Sequence, residues 1–198
     1  MLQEFSNKFT TLTPEFWLQM CHDIKDFRNT FQLPVNNPIS VNDCKVHNSL
    51  HIEELVELAL ATNKAEQADA ILDAVYTLVG RTAQVGKYDM ESSSVAHMVD
   101  ILLATALTLE IPYEACWRAI HASNMTKAAS TEEEALTTVE HYKNRGIAGE
   151  VFVADSGKYL IKCSEDSTDE TGSMIRKGKV LKSVKYTPVD LVKVLQEA

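Results

Sequence analysis

Between Leu50 and Ala61 the chain sets three glutamates into a segment that is apolar almost all round as a helix. No other feature constrains its fold as tightly. At about 100° per residue, Glu54 and Glu57 fall only about 60° apart on the helical wheel. They share that sector with Leu50, Leu58 and Ala61, while Ile52, Leu55, Val56, Ala59 and Leu60 fill most of the remaining circumference. Such a helix is normally buried. At least one of its carboxylates is therefore expected on a packed face, where an unpaired charge is too costly to persist.

The next helix repeats the theme. Glu66, Asp69 and Asp73 lie within about 60° of one another, mostly opposite Ile71, Leu72, Val75, Leu78 and Val79. A short turn around Asn63-Lys64 predicts an antiparallel hairpin, with both sets of acids near one end. Two readings stay open for such a cluster. Exposed like charges repel by only ~0.2–0.5 kcal/mol, so a solvated acidic face would need no explanation. The alternative is a hard cation shared with substrate phosphates, for which carboxylate oxygens suit Mg²⁺ or Mn²⁺. Di-iron bundles require Glu-x-x-His, and no glutamate here is followed three residues later by histidine.

The rest of the chain is mostly helical punctuation. Thr13-Pro14-Glu15 starts a helix carrying Phe16, Trp17, Met20, Ile24, Phe27 and Phe31, and Pro34 and Pro38 mark a loop. The second helix should start near Asn42 or Asp43 and reach Thr62, and the third should run from Ala65 to Val85 with Gly86 as its stop. A fourth is expected over Ser92 to Glu110, and a fifth from Pro112 to Asn124-Met125. Thr131-x-x-Glu134 resembles a capping box for a sixth, closed by Gly146.

Composition changes after Gly149. Val151-Phe-Val-Ala and Tyr159-Leu-Ile-Lys-Cys163, joined by Asp155-Ser-Gly-Lys, predict a β-hairpin. An acidic, solvated or disordered loop follows from Ser164 to Ser173. Lys177, Lys179, Lys182 and Lys185 make a basic segment, and Thr187-Pro188 starts a last short helix. The expected organisation is a mainly α bundle over 1–149 with a small C-terminal β-hairpin arm over 150–198.

A net charge of -9 argues against a nucleic-acid polymer as partner, because phosphate contacts need a basic surface. It does not argue against a small anionic substrate, since a metal can reverse the local field. Cys21, Cys44, Cys116 and Cys163 show no C-x-x-C pair, which favours a reducing compartment. With no apolar run of membrane-spanning length and no basic, apolar leader, the expectation is a cytoplasmic protein without a membrane partner.

The pattern Glu53-Glu54-x-x-Glu57 followed by Glu66-x-x-Asp69 is similar to the signature of the all-α nucleoside triphosphate pyrophosphohydrolases. That superfamily includes MazG, phosphoribosyl-ATP pyrophosphohydrolase and the dimeric dUTPases. Asp23-Ile-Lys-Asp-Phe27 with Leu33-Pro34 upstream, and Asp73-Ala-Val-Tyr76 with Gly80 and Gly86 downstream, extend the match. Ser123-Asn-Met-Thr-Lys127 resembles the Ser-Asn-Met-Ser-Lys segment of a MazG-like branch. Gly178-Lys-Val-Leu-Lys-Ser183, with Tyr186, Pro188 and Asp190, resembles that branch's C-terminal segment.

By this resemblance, Glu54, Glu57, Glu66 and Asp69 are metal ligands for Mg²⁺, with Mn²⁺ as the alternative. Glu53 is the extra acid, a ligand or an activator of the attacking water, and it shares the catalytic role with Glu54. Asn124 is expected to read a base edge, and Lys127, Lys179 and Lys182 to meet phosphate. Asp73 stands between a metal-shell residue and a polar cap on helix packing. Relatives often place an arginine shortly before the first acidic motif, where this chain has His47-Asn48-Ser49-Leu50, so a lysine elsewhere is expected to supply that charge.

The implied reaction is water attack on the α-phosphorus of a nucleoside triphosphate, giving monophosphate and pyrophosphate, in a homodimer or homotetramer. The alternatives are phosphoribosyl-ATP or a modified nucleotide as substrate, or a non-catalytic helical module that senses nucleotides.

Overall fold

The computed structural model describes residues 8–169, 172 and 174–198, with seven α-helices among them. They are α1 (Pro14–Thr30), α2 (Val41–Leu60), α3 (Lys64–Val85), α4 (Ser94–Thr108), α5 (Tyr113–Met125), α6 (Glu132–Lys143) and α7 (Leu191–Glu197). The short strands are β1 (Gly149–Val153), β2 (Tyr159–Cys163), β3 (Ser167–Thr168), β4 (Met174–Ile175) and β5 (Val180–Leu181). The protein is thus mainly α, with its strands toward the C-terminus. Among the described residues no single helix is long and apolar enough to cross a membrane.

The chain forms two units. The first comprises residues 8–26, 34–120 and 190–198; the second comprises 27–33 and 121–189. The change of composition at Gly149 falls inside the second unit, where α6 packs on β1 and β2.

α3 is the centre of the first unit. Its apolar and small residues from Ala68 to Ala83 are almost all buried, and α2, α4 and α7 pack on it. Asn63 caps its start, with its side-chain oxygen accepting the Glu66 N–H at 3.0 Å. Gly86 ends it in the left-handed conformation at φ 76°. A Cβ there would lie 2.7 Å from the Asn36 side-chain oxygen, so the close approach of the 34–38 loop needs glycine as much as the turn does.

That loop is fixed by Asn36 and Asn37 N–H donation to Ala83 and Gln84 carbonyls, and it delivers the chain to α2. Ser40 and Asp43 form a reciprocal capping box at the entry to α2. Elsewhere in the unit, the indoles of Trp17 and Trp117 donate to Tyr88 O and to Asp23 at 2.7 and 2.8 Å. Buried Asp100 collects the N–H groups of Thr10, Thr11 and Leu12 ahead of α1. Burial alone would raise its pKa, but these donors outweigh it and hold the carboxyl below its ordinary value.

The expectation of a buried α2 is overturned. No residue of α2 is buried; Ile52 is 60% exposed and Leu60 72%. The helix uses one face against α3 and leaves its remaining apolar face uncovered.

In the second unit, β1 and β2 form the expected hairpin, pairing Val151 with Ile161 and Phe152 with Leu160. β5 adds to the other edge of β2 to give the order β1-β2-β5. Ala135 of α6 packs on this sheet with Ile147, Ile161 and Leu181. The segment expected to be a solvated or disordered loop instead contains β3, paired with β4. Glu170, Thr171 and Ser173 of that loop lie outside the described residues.

The Thr131-x-x-Glu134 signature is used in an unexpected way. Thr131 does cap α6, but buried Glu134 accepts from the Ser130 N–H and the Ser183 hydroxyl, with Lys185 at 3.9 Å. The last helix starts at Leu191 rather than at Thr187-Pro188, because Asp190 supplies its cap by accepting the Lys193 N–H.

Candidate functional site

α2 and α3 form the antiparallel hairpin expected from the short turn between them. Ala61 turns the chain out of the helix in an extended conformation, and Asn63 restarts it three residues after Leu60. Toward the other end, three polar contacts set the register. They are His51 Nδ1 to Thr77 Oγ1 at 3.2 Å, His47 Nε2 to Gln84 Oε1 at 2.8 Å, and Arg81 to Asn48 Oδ1 at 3.2 Å.

This register brings the acids to Glu54. Burial first, and then the charges of Asp73, Glu57, Glu53 and Asp69 in that order, push its pKa up to about 8. Glu54, Asp69 and Asp73 are half-buried, and Glu53 and Glu57 are exposed. Asp73, which the sequence left between two readings, is thus the strongest of the charges acting on Glu54.

Glu66 is placed differently. Its carboxylate accepts from Thr62 N–H at 2.7 Å and Thr62 Oγ1 at 2.9 Å, which holds its pKa below the usual carboxylate range. It tightens the turn between the helices.

The donor set suits a hard divalent cation. It is all carboxylate oxygen, and burial together with mutual repulsion keeps a proton on Glu54 that a cation would displace. Among the described residues, no three His, Cys, Asp or Glu side chains converge as a preformed cage. The fit is therefore one of charge and donor chemistry, of the kind Mg²⁺ makes with a few carboxylates plus substrate phosphates.

The other predicted residues lie in the second unit. Buried Asn124 sits in the last turn of α5, and Lys127 N–H donates to its carbonyl at 3.2 Å. Lys127 O accepts from Ser183 N–H, so Lys127 and Lys182 belong to neighbouring backbone segments. Ser123 and Thr126 complete the staple by bonding Thr187 through its carbonyl and N–H. Lys182 lies over the Tyr186 ring at 4.6 Å, and exposed Lys179 follows the Gly178 turn that leads into β5.

Sequence reasoning missed three residues beside the acids: His51, Thr77 and Arg81. Thr77 donates its hydroxyl to Ala74 O at 2.9 Å, so the His51 Nδ1–H is the donor to Thr77 and Nε2 is left as an acceptor. Burial lowers the His51 pKa. The signal was present in the spacing, since Asp69, Asp73, Thr77 and Arg81 recur every four residues along one helix face. The cation that stands at Asn48 is Arg81, reaching across from α3.

No curated protein and no solved structure matches the chain. A family model does match it, over residues 24–87, which include α2, α3 and the acids from Glu53 to Asp73; that model is described as phosphoribosyl-ATP pyrophosphohydrolase. Over this helical segment, less than half of the chain, the sequence is thus similar to the all-α nucleoside triphosphate pyrophosphohydrolases, whose family-level activity is pyrophosphohydrolysis of nucleotides.

Proposed function

We propose that this protein is a magnesium-dependent nucleoside triphosphate pyrophosphohydrolase that releases nucleoside monophosphate and pyrophosphate. One observation carries the reading: burial, together with the charges of carboxylates from two helices, raises the Glu54 pKa to about 8, an arrangement that costs stability unless a cation offsets it. Glu54, Glu57 and Asp69, with Glu66 released from Thr62 and with Asp73, would hold Mg²⁺. When bound, Mg²⁺ neutralises phosphate charge in a reaction that is mainly positioning and electrostatics.

Exposed Glu53 takes the proton of the water that attacks the α-phosphorus. By the resemblance of residues 123–127 and 178–183 to segments of the MazG-like branch, Asn124 is assigned to a base edge and Lys127, Lys179 and Lys182 to phosphate. The protein works as a homo-oligomer, because the bare apolar face of α2, with Ile52, Val56 and Leu60 at least half exposed, is suited to a second copy of itself. The matched family model also favours phosphoribosyl-ATP as a candidate substrate.

The test is product analysis with Mg²⁺ across the eight common nucleotides and phosphoribosyl-ATP, with and without added inorganic pyrophosphatase. Monophosphate should form, and orthophosphate should appear only with the pyrophosphatase. Glu57→Gln and Asp69→Asn should each lower turnover at least about a hundredfold, or roughly 2.7 kcal/mol, with an unchanged circular dichroism spectrum. Normal hydrolysis by both variants would move the site elsewhere.

A further inference from the structure

Beyond the acids, the groove between α2 and α3 opens into a cavity of about 290 Å³ that α4 closes on its third side. Its polar lining includes Asn48, His51, Thr77, Arg81 and Ser94, and Arg81 is the one lysine or arginine among its lining residues.

Arg81 is held there by neutral acceptors. One terminal nitrogen donates to Asn48 Oδ1 at 3.2 Å and the other makes a long contact to Cys44 Sγ at 3.8 Å. No carboxylate faces it as an ion-pair partner among the described residues. A guanidinium has five N–H donors in a planar fork, so most of its capacity is unused. A half-buried, uncompensated guanidinium inside a cavity is a place for an anion. Phosphate matches the fork better than any neutral group of a nucleotide does.

Position identifies which phosphate. Asp73, Thr77 and Arg81 are separated by four residues each on one face of α3, so Arg81 stands about 12 Å along the helix from Asp73. A triphosphate whose reacting end lies at Glu54 and Asp73 would extend along this groove past Thr77. Its far end, together with the reach of the arginine side chain, spans that gap.

We propose that Arg81 is the anchor for the terminal phosphate of the substrate and so selects triphosphates over diphosphates. This rests on the pyrophosphohydrolase reading for the position of the reacting end. It does not rest on that reading for the cavity's taste for an anion.

The experiment is calorimetric titration of the full chain in Mg²⁺ buffer with inorganic tripolyphosphate, a nucleoside monophosphate and a free nucleoside, alongside nucleotide turnover. Arg81→Ala should weaken tripolyphosphate binding at least about tenfold and raise the KM for triphosphates similarly, with little change in kcat. Binding of a nucleoside monophosphate, which lacks the terminal phosphate, should change by less than about threefold. Arg81→Lys keeps a point charge without the fork and should fall in between, which separates loss of the anchor from loss of the fold.

Equal tripolyphosphate affinity in Arg81→Ala and wild type would overturn the assignment. So would equal losses for tripolyphosphate and nucleoside monophosphate, or a dependence on Arg81 of nucleoside binding alone. If wild type cuts no nucleotide yet binds tripolyphosphate through Arg81, the pyrophosphohydrolase reading fails and the phosphate anchor survives.

Discussion

α2 and α3 are two arms of one hairpin, of 20 and 22 residues, and both bring acids to the same place. One is buried along most of its length, and the other has no buried residue at all. Their sequences do not announce this difference, since α2 has apolar residues on more of its circumference than α3 does. What separates them is company. α3 is covered by α2, α4 and α7, whereas in the single chain α2 meets chiefly α3. An apolar helix left half-covered carries surface that water disfavours, at roughly 25 cal/mol per Å². α3 thus explains why the chain folds, and α2 carries the bare face and the acids on which the proposed self-association and cation site rest.

The comparison breaks most visibly in stability. Leu72 is fully buried, so Leu72→Ala should cost about 2–5 kcal/mol in urea unfolding. Ile52→Ala, on the exposed face of α2, should cost less than about 0.5 kcal/mol when measured on the monomer. The same face decides assembly: a double Ile52→Asp, Val56→Asp variant should sediment as a monomer at concentrations where wild type does not. If it sediments like wild type, the bare face of α2 is not the contact between copies.

The next effect is electrostatic and needs metal-free protein in chelator. The folded-state pKa of Glu54 is raised from 4.5 to about 8. Below pH 4.5 the carboxyl is protonated in both folded and unfolded chains and costs nothing. As pH rises from 4.5 to about 8, the unfolded chain ionises while the folded chain holds its proton, so folding stability is lost across that window. Glu54→Gln removes the penalty. It should raise the urea midpoint at pH 8 and leave it nearly unchanged at pH 4.5. Equal shifts at both pH values would mean that packing, not charge, governs this position. Adding Mg²⁺ should stabilise wild type at pH 8, because a ligand of the native state shifts the equilibrium toward it.

Where sequence was informative, the determinants were local. Thr13-Pro14, Gly86 and the Val151 and Tyr159 strands each signal their structure within a few residues, and the hairpin of acids follows from the short Ala61–Asn63 break. Where it was not, the determinant lay across the fold. The pairing of β3 with β4 brings together residues of a polar, acidic stretch that has no strand pattern of its own. Glu134 looks like a capping residue until Ser183 and Lys185 arrive from 49 and 51 positions away. In the site, Glu54 and its acid neighbours were legible from helical spacing. The engagement of Glu66 by Thr62, and the meeting of Arg81 with Asn48, depend on rotamers and on cross-helix register, which spacing alone does not supply.

The smallest expected effect tests whether α2 is as weakly held as its exposure implies. Its start rests on the box in which Asp43 N–H donates to Ser40 Oγ at 3.1 Å while Ser40 N–H donates to Asp43 at 2.9 Å. Ser40→Ala removes one half of that exchange, a loss of about 1 kcal/mol. In a helix held by buried side chains, such a loss is shared with the global unfolding equilibrium. α2 contributes no buried residue, so it should open locally at a lower free energy than α3, and the loss should fall on that local opening. Amide exchange across residues 43–52 should then speed up by about fivefold, the equivalent of roughly 1 kcal/mol. Exchange in the Ala68–Leu78 stretch of α3 should stay unchanged, and the thermal midpoint should move little. If both helices accelerate together, α2 and α3 unfold as one unit and the contrast drawn from their burial does not extend to their dynamics.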